Sequence, residues 1–287
     1  HKITCVDQDS GKVRKLLSGR SPIYEPGLEK LLVAAKDNLN FTTSFMPCLE
    51  ADVIILAVGT PPTPGGDVDM TYVEQAAADI AANLSADRFQ VIVNKSTVPI
   101  GTAQRVKLVV SSALSNLGKT AQFAVVSNPE FLREGAAIND TLYPDRIVIG
   151  VDQGAAARIM RDVYAPILEQ SFAATTDWPR PNGYLSPVLV ETDIVSAEMI
   201  KYAANAFLAT KISFINEIGG LCEKVGADVT EVARGIGLDK RIGSRFLQAG
   251  VGWGGSCFGK DSGALICTGR EYGHEMRIVS AAVEVNR

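Results

Sequence analysis

Short, nearly continuous runs of apolar and β-branched residues recur along the first part of the chain. Ile3 to Val6, Asp52 to Val58, Val91 to Asn94, Phe123 to Val126 and Ile147 to Val151 read as strands. Runs without in-and-out alternation are what parallel strands show when both faces are covered. Between them, Tyr72 to Leu84 and Thr102 to Leu117 carry helical spacing. Strands alternating with helices predict an α/β fold with a doubly wound parallel sheet, whose ligands collect at the carboxyl ends of the strands. Phe172 to Pro187, with three prolines and a glycine, reads as an irregular connection.

From Asp193 the pattern is helical alone. Ile194, Ala197, Lys201, Ala204, Leu208, Lys211, Ile215, Ile218, Cys222 and Val225 recur every three or four residues and mark one face of a long helix. Ile200, Phe207, Phe214 and Leu221 make the neighbouring face apolar too. The helix is therefore expected to be buried over much of its circumference. Asp193 suits its start and Gly226 its stop. Thr230 to Ile236, Ala264 to Tyr272 and Ile278 to Asn286 read as shorter helices. Two domains follow: residues 1–192, α/β, and residues 193–287, all-helical, with the long helix connecting them.

Composition narrows the class. A chain of 287 residues fits two domains better than one. Hydrophobic content of 46% beside 21% charged residues is ordinary for a soluble globular protein. No apolar run approaches the ~20 residues of a membrane span. A net charge of −4 argues against nucleic acid as the main partner. The five cysteines are odd in number, scattered and free of any CxxC pair. That excludes a disulfide framework and a zinc knuckle, and suits a reducing cytoplasm. His1 and His274 give no metal-ligand pattern.

Candidate chemistry concentrates in Val251-Gly-Trp-Gly-Gly-Ser-Cys-Phe-Gly-Lys-Asp261. It puts Cys257 after a glycine-rich loop and before a helix, where the helix dipole and Lys260 favour thiolate. Asp261 shares its face if the helix begins by Ser256. The alternative is a small buried cysteine packed against a tight turn. Lys201 sits in an otherwise apolar seam. It is either an ammonium aimed at a developing oxyanion, with Asn205 one turn on as a second donor, or a side chain snorkelling to solvent. Glu130 and Glu134 in Asn128-Pro-Glu-Phe-Leu-Arg-Glu134 fit a loop at a strand end, or a solvated helix face. Asp7, ending its strand, could accept hydrogen bonds from a ribose, or be an ordinary strand-end aspartate. Val58-Gly-Thr-Pro-Pro62 lies where cofactor-contacting turns belong, or is merely a proline-rich loop.

The cysteine stretch resembles the catalytic-cysteine motif of the UDP-glucose 6-dehydrogenases, within the UDP-glucose/GDP-mannose dehydrogenase family. Ser21-Pro-Ile-Tyr-Glu-Pro-Gly-Leu28, Asn94-Lys-Ser-Thr-Val-Pro99, Ser127-Asn-Pro-Glu-Phe-Leu-Arg-Glu-Gly135 and Lys201-Tyr-Ala-Ala-Asn-Ala-Phe207 resemble the same family in the same order. The resemblance implies a Rossmann-like domain that binds NAD through Asp7, Lys12, Gly59, Thr60, Thr97, Glu134 and Lys260. It implies catalysis by Cys257, Lys201, Asn205, Asp261, Glu130 and Thr97. For the substrate, UDP-glucose, it implies contacts from Glu130, Phe131, Leu132, Arg133, Lys201, Asn205, Gln248, Gly252, Trp253 and Gly254. Arg241 would reach the substrate of the neighbouring subunit, in a homodimer formed through the helical domain. Another nucleotide sugar such as GDP-mannose, or a non-catalytic remnant, stays open.

By the family pattern, a first strand with its GxGxxG turn should precede His1, and a further α/β domain should follow Arg287. The chain reads as an internal fragment, expected to be inactive by itself. Gly259 departs from the family's usual proline, and a flexible residue there is expected to loosen the turn presenting the thiol.

Overall fold

The computed structural model describes all of residues 1–287. They form two compact units. His1–Gly59, Thr71–Ser96 and Gly101–Ala197 make the first; Thr60–Met70, Thr97–Ile100 and Glu198–Arg287 make the second.

In the first unit, β1 (Ile3–Val6) pairs in parallel with β2 (Leu39–Thr42), joined through α1 (Ser10–Leu17) and α2 (Leu28–Ala34). Asp9 caps α1 by accepting from the backbone N–H of Gly11 and Lys12. A five-stranded sheet follows in the order β3 (Val53–Leu56), β4 (Phe89–Asn94), β5 (Gln122–Ser127), β6 (Arg146–Gly150) and β7 (Val188–Thr192). β3 to β5 run parallel, as do β6 and β7; the two sets meet antiparallel at a single pair, Ser127 and Gly150. Mixed sheets of this kind are common among large α/β folds.

Val91, Val93, Ala124, Val126, Ile147 and Ile149 pack with Ala156 and Met160 of α6 (Gly154–Leu168). α3 (Thr71–Ala82) and α4 (Thr102–Asn116) pack on each other and on β3 and β5. Coverage on both faces therefore holds for β4, β5 and β6. It fails for β1, where Ile3 is 50% exposed and Cys5 is exposed. Only β2 pairs with this strand, and the edges of β1 and β3 that face away from β2 and β4 have no partner.

The long helix α7 (Ile194–Val225) is started by Asp193, whose carboxylate accepts from Ser196 N–H at 2.8 Å, and from Glu198 onward it belongs to the second unit. α8 (Val229–Gly237), α9 (Gly255–Glu271) and α10 (Arg277–Val285) follow. Two expectations need correcting. The second apolar face of α7 is open, with Phe207 65%, Phe214 48% and Leu221 56% exposed, while its buried positions follow the other seam at Ala197, Lys201, Ile215 and Cys222. α9 also begins at Gly255, well before Ala264. Its inward positions there are Asp261 and Ser262 rather than hydrophobes, so hydrophobic periodicity misses its first turns.

Gly259 consequently lies inside a helix and not in a turn. A Cβ there would lie 3.9 Å from the Trp253 ring, an ordinary contact. Helical glycine is costly in backbone entropy, so Gly259→Ala should stabilise the protein by about 0.5–1 kcal/mol. Chemical denaturation measures this, and a lowered midpoint would contradict it.

Candidate active site

The second unit assembles a polar cluster on facing stretches of α7 and α9. Lys201 and Asn205 are four residues apart on α7, on one face, and both are buried. Burial of Lys201, only 4% exposed, excludes snorkelling. Asn205 Nδ2 donates to Asp261 Oδ2 on α9 at 2.6 Å. The other carboxylate oxygen, Oδ1, lies 2.8 Å from Lys260 Nζ. These two neighbours on one helix pair by charge without aligning a directional hydrogen bond. Lys260 is thus turned toward Asp261.

One turn before Asp261 on the same face, in the first turn of α9, stands Cys257. It is exposed, which excludes a small buried cysteine packed against a turn, and its Sγ lies 3.6 Å from Ser256 Oγ. A helix N-terminus favours an anion at that place. The arrangement is a solvent-reachable thiol with a buried carboxylate, amide and ammonium built behind it.

Sequence reasoning missed other members of this cluster. Glu198, Tyr202 and Ser262 are also buried. Burial, and then the charge of Asp261, pushes the Tyr202 phenol far above its ordinary range, so it remains a neutral hydroxyl. The signal was available for Glu198, a charged residue beside the seam. The segment Thr60–Met70 also joins this unit: Cys267 Sγ donates to the Gly65 carbonyl at 3.7 Å, and a Cβ on Gly263 would lie 3.2 Å from the Gly66 carbonyl. Thr60 and Thr97 fall in the second unit as well.

In the first unit, candidate residues gather just beyond strand ends. Asp7 follows β1; its Oδ1 accepts from Asp9 N–H at 2.9 Å, and Lys12 Nζ lies 3.3 Å from its Oδ2. Gly59 lies three residues past β3, and Glu130 three past β5. Asn128 to Gly135 is a loop, not a helix face. Buried Asn128 anchors it, donating to Val148 O at 2.8 Å and accepting from Lys95 at 3.2 Å. Glu130 Oε2 accepts from Leu132 N–H at 2.6 Å, and the Phe131 ring lies 3.8 Å from the Arg146 guanidinium. Arg133 is held bidentately by Asp140. Burial alone would raise the Asp140 carboxyl, but these bonds outweigh it and keep it below the usual range. Glu134 is exposed. Glu25 clamps the end of the loop, accepting from Gly135 N–H at 2.9 Å and Ala137 N–H at 2.8 Å.

Residues 1–168 match the NAD binding domain of the UDP-glucose/GDP-mannose dehydrogenase family, and residues 195–287 match its central domain. The chain belongs to the UDP-glucose/GDP-mannose dehydrogenase family. It is 50% identical to a UDP-glucose 6-dehydrogenase of Rhizobium meliloti over its whole length, which covers 62% of that protein. The UDP-glucose 6-dehydrogenase TuaD of Bacillus subtilis is 46% identical over the whole chain and 58% of its own length. A UDP-glucose dehydrogenase structure from Pyrobaculum islandicum superposes with a TM-score of 0.86 at 40% identity, over the whole chain and 62% of the other. A GDP-mannose dehydrogenase structure from Pseudomonas aeruginosa gives 0.74 at 32% identity, over the whole chain and 63% of the other. The chain thus spans about three fifths of the length of these family members.

Family membership turns attention to the segment from Arg241 to Gly254. Arg241 is 88% exposed at its side chain and pairs only with nearby Asp239, its Nη2 2.6 Å from Asp239 Oδ2. Gln248 and Gly254 are exposed, while Gly252 and Trp253 are half-buried. No helix is long and apolar enough to cross a membrane, and no group of three or more His, Cys, Asp or Glu side chains could hold a metal ion.

Proposed function

We propose that the whole protein oxidises UDP-glucose to UDP-glucuronate, spending two NAD per turnover. The observation that carries this reading is the exposed Cys257 thiol on one helix face with Asp261, itself bonded to Asn205 beside buried Lys201. A two-electron oxidation of an alcohol needs no thiol nucleophile; a four-electron oxidation to an acid through a covalent adduct does. The higher identity to proteins named UDP-glucose 6-dehydrogenases than to the GDP-mannose enzyme favours glucose and uridine.

NAD, when bound, would supply the hydride acceptor for each oxidation at C6. Asp7 and Lys12 suit its adenosine ribose, since a carboxylate and an ammonium 3.3 Å apart offer an acceptor and a donor to vicinal hydroxyls. The Asp7 charge would disfavour a 2′-phosphate. Gly59, Thr60, Thr97, Glu134 and Lys260 would complete that site. The open edges of β1 and β3 are where one more parallel strand would pair.

Cys257 Sγ attacks the C6 aldehyde, forming a C–S bond while the carbonyl oxygen takes a proton. Oxidation of this thiohemiacetal leaves a thioester. Water then breaks the C–S bond, returning the thiol and giving the carboxylate. Lys201 and Asn205 donate to the oxygen that becomes negative at each addition. Asp261, Glu130 and Thr97 hold protons and the attacking water, and Phe131 to Arg133, Gln248, Gly252, Trp253 and Gly254 hold the nucleotide sugar. With UDP-glucose and NAD, two NADH should form per UDP-glucuronate; one NADH with an aldehyde product would refute the reading.

We assign the whole protein to the cytoplasm, in keeping with five free thiols. We also assign it a homodimer that covers the open face of α7, carrying Phe207, Phe214 and Leu221, and that brings Arg241 to the partner's substrate. Such a stripe is larger than scattered exposed hydrophobes need be. Phe214→Arg should shift the protein toward monomer in sedimentation experiments. A monomeric unsubstituted protein at micromolar concentration would overturn the assignment.

A further inference from the structure

The loop that leads into α9 is tied down from two sides by groups that the chemistry above leaves unused. Gly250 N–H donates to Asn216 Oδ1 of α7 at 2.8 Å. Trp253 N–H donates to Asn286 Oδ1 at 2.7 Å, and Asn286 Nδ2 donates back to the Trp253 carbonyl at 2.8 Å. One amide side chain thereby makes the two-bond exchange of an antiparallel strand pair. Trp253 Nε1–H donates to Ser213 Oγ at 2.9 Å, and the Ser213 hydroxyl donates to the Ala282 carbonyl at 2.7 Å. Gly252 passes between the clamps at φ +95°, where a Cβ would lie 2.5 Å from Asn286 Oδ1. The Trp253 ring stands edge-on to Phe258, the neighbour of Cys257.

The clamps answer a specific problem. Gly252 and Gly255 both have positive φ, +95° and +77°, a left-handed conformation that residues with a side chain rarely adopt. A loop so rich in glycine is costly to order and has few side chains of its own to do it. Order has to come from outside, and short amide side chains supply it with little rotamer entropy to lose.

We propose that Asn286, seconded by Asn216, is a positioning residue for the nucleophile. It holds Gly250 to Gly254 in the conformation that sets the start of α9 and with it the Cys257 thiol. This rests on the reading of Cys257 as the nucleophile. An Asn following α10 would otherwise be a plain helix cap. A cap, however, does not need its side chain committed to a residue on another segment.

The test uses the whole protein, with every tryptophan other than Trp253 changed to phenylalanine so that Trp253 alone reports on the loop. Acrylamide quenching reads the loop, and mass spectrometry after limiting iodoacetamide reads Cys257. Asn286→Ala should raise the quenching constant about twofold, as the loop opens locally. It should also slow Cys257 alkylation by about threefold, the worth of an ordered helix N-terminus to an anion. Asn286→Asp, keeping the acceptor and losing the donor, should fall between. A folded Asn286→Ala with unchanged quenching and alkylation overturns the proposal. If that variant does not fold, Asn286→Asp and Asn216→Ala decide on the same two readouts. If unsubstituted Cys257 is not the first thiol labelled, the nucleophile reading fails, while quenching still judges the clamp.

Discussion

Cys257→Ser in the whole protein should abolish formation of the acid while leaving the first oxidation measurable. The first hydride leaves an alcohol carbon, and no covalent bond to the protein is required for it. The second needs an adduct that presents a C–H bond again, and serine is a far weaker nucleophile than cysteine at neutral pH. Acid formation should fall on the order of 10³-fold or more, the range seen when a nucleophile is removed. The site tolerates the change sterically: Cys257 is exposed and its sulfur touches only Ser256 among polar groups. Single-turnover NADH formation from UDP-glucose, with the product identified, separates the steps. Near-normal conversion to acid by the serine variant would sink the covalent route.

Much of this site is legible in the chain because its chemistry breaks local patterns. Lys201 interrupts an apolar seam, and its burial at 4% exposure gives the interruption a cause. Asn205 and Asp261 follow from helical spacing, and their contact across α7 and α9 is the kind of pairing that spacing alone suggests but cannot establish. The strands β3 to β6 are legible because both-face burial leaves unbroken apolar runs.

What escaped is non-local or polar on the inside. The first turns of α9 bury Asp261 and Ser262, so a search for hydrophobic period starts the helix too late. β2 is four residues long and β7 emerges from a proline-rich connection, so neither presents a run that stands out. Cys5 looks like a core strand residue yet is exposed, because β1 has one strand partner. Thr60–Met70 packs with the helical unit through backbone approaches at Gly263, which only folding in space reveals. Glu25 and Asn286 spend their side chains on backbone groups of distant segments, and no residue pattern announces such bonds.

Lys201→Ala should slow both oxidations, in contrast to the serine variant. Each step passes through an oxygen that gains negative charge, first as the alcohol loses its hydride and proton, then as sulfur adds to the aldehyde. A fixed cation in a water-poor place stabilises such charge without reorganising, and losing one donor of this kind costs roughly 2.7–4 kcal/mol. The rate should therefore drop by about 10²–10³-fold in both half-reactions, with weaker effects on substrate affinity. Removing a buried ammonium also disturbs the groups around it, so folding is checked by circular dichroism. Asn205→Ala serves as the second variant, because it removes a neutral donor and leaves Lys201 in place, although it frees Asp261 of one partner. NADH formation from UDP-glucose and from the C6 aldehyde, measured separately, gives the two rates. Loss confined to the aldehyde step would reassign Lys201 from oxyanion stabilisation to activation of Cys257.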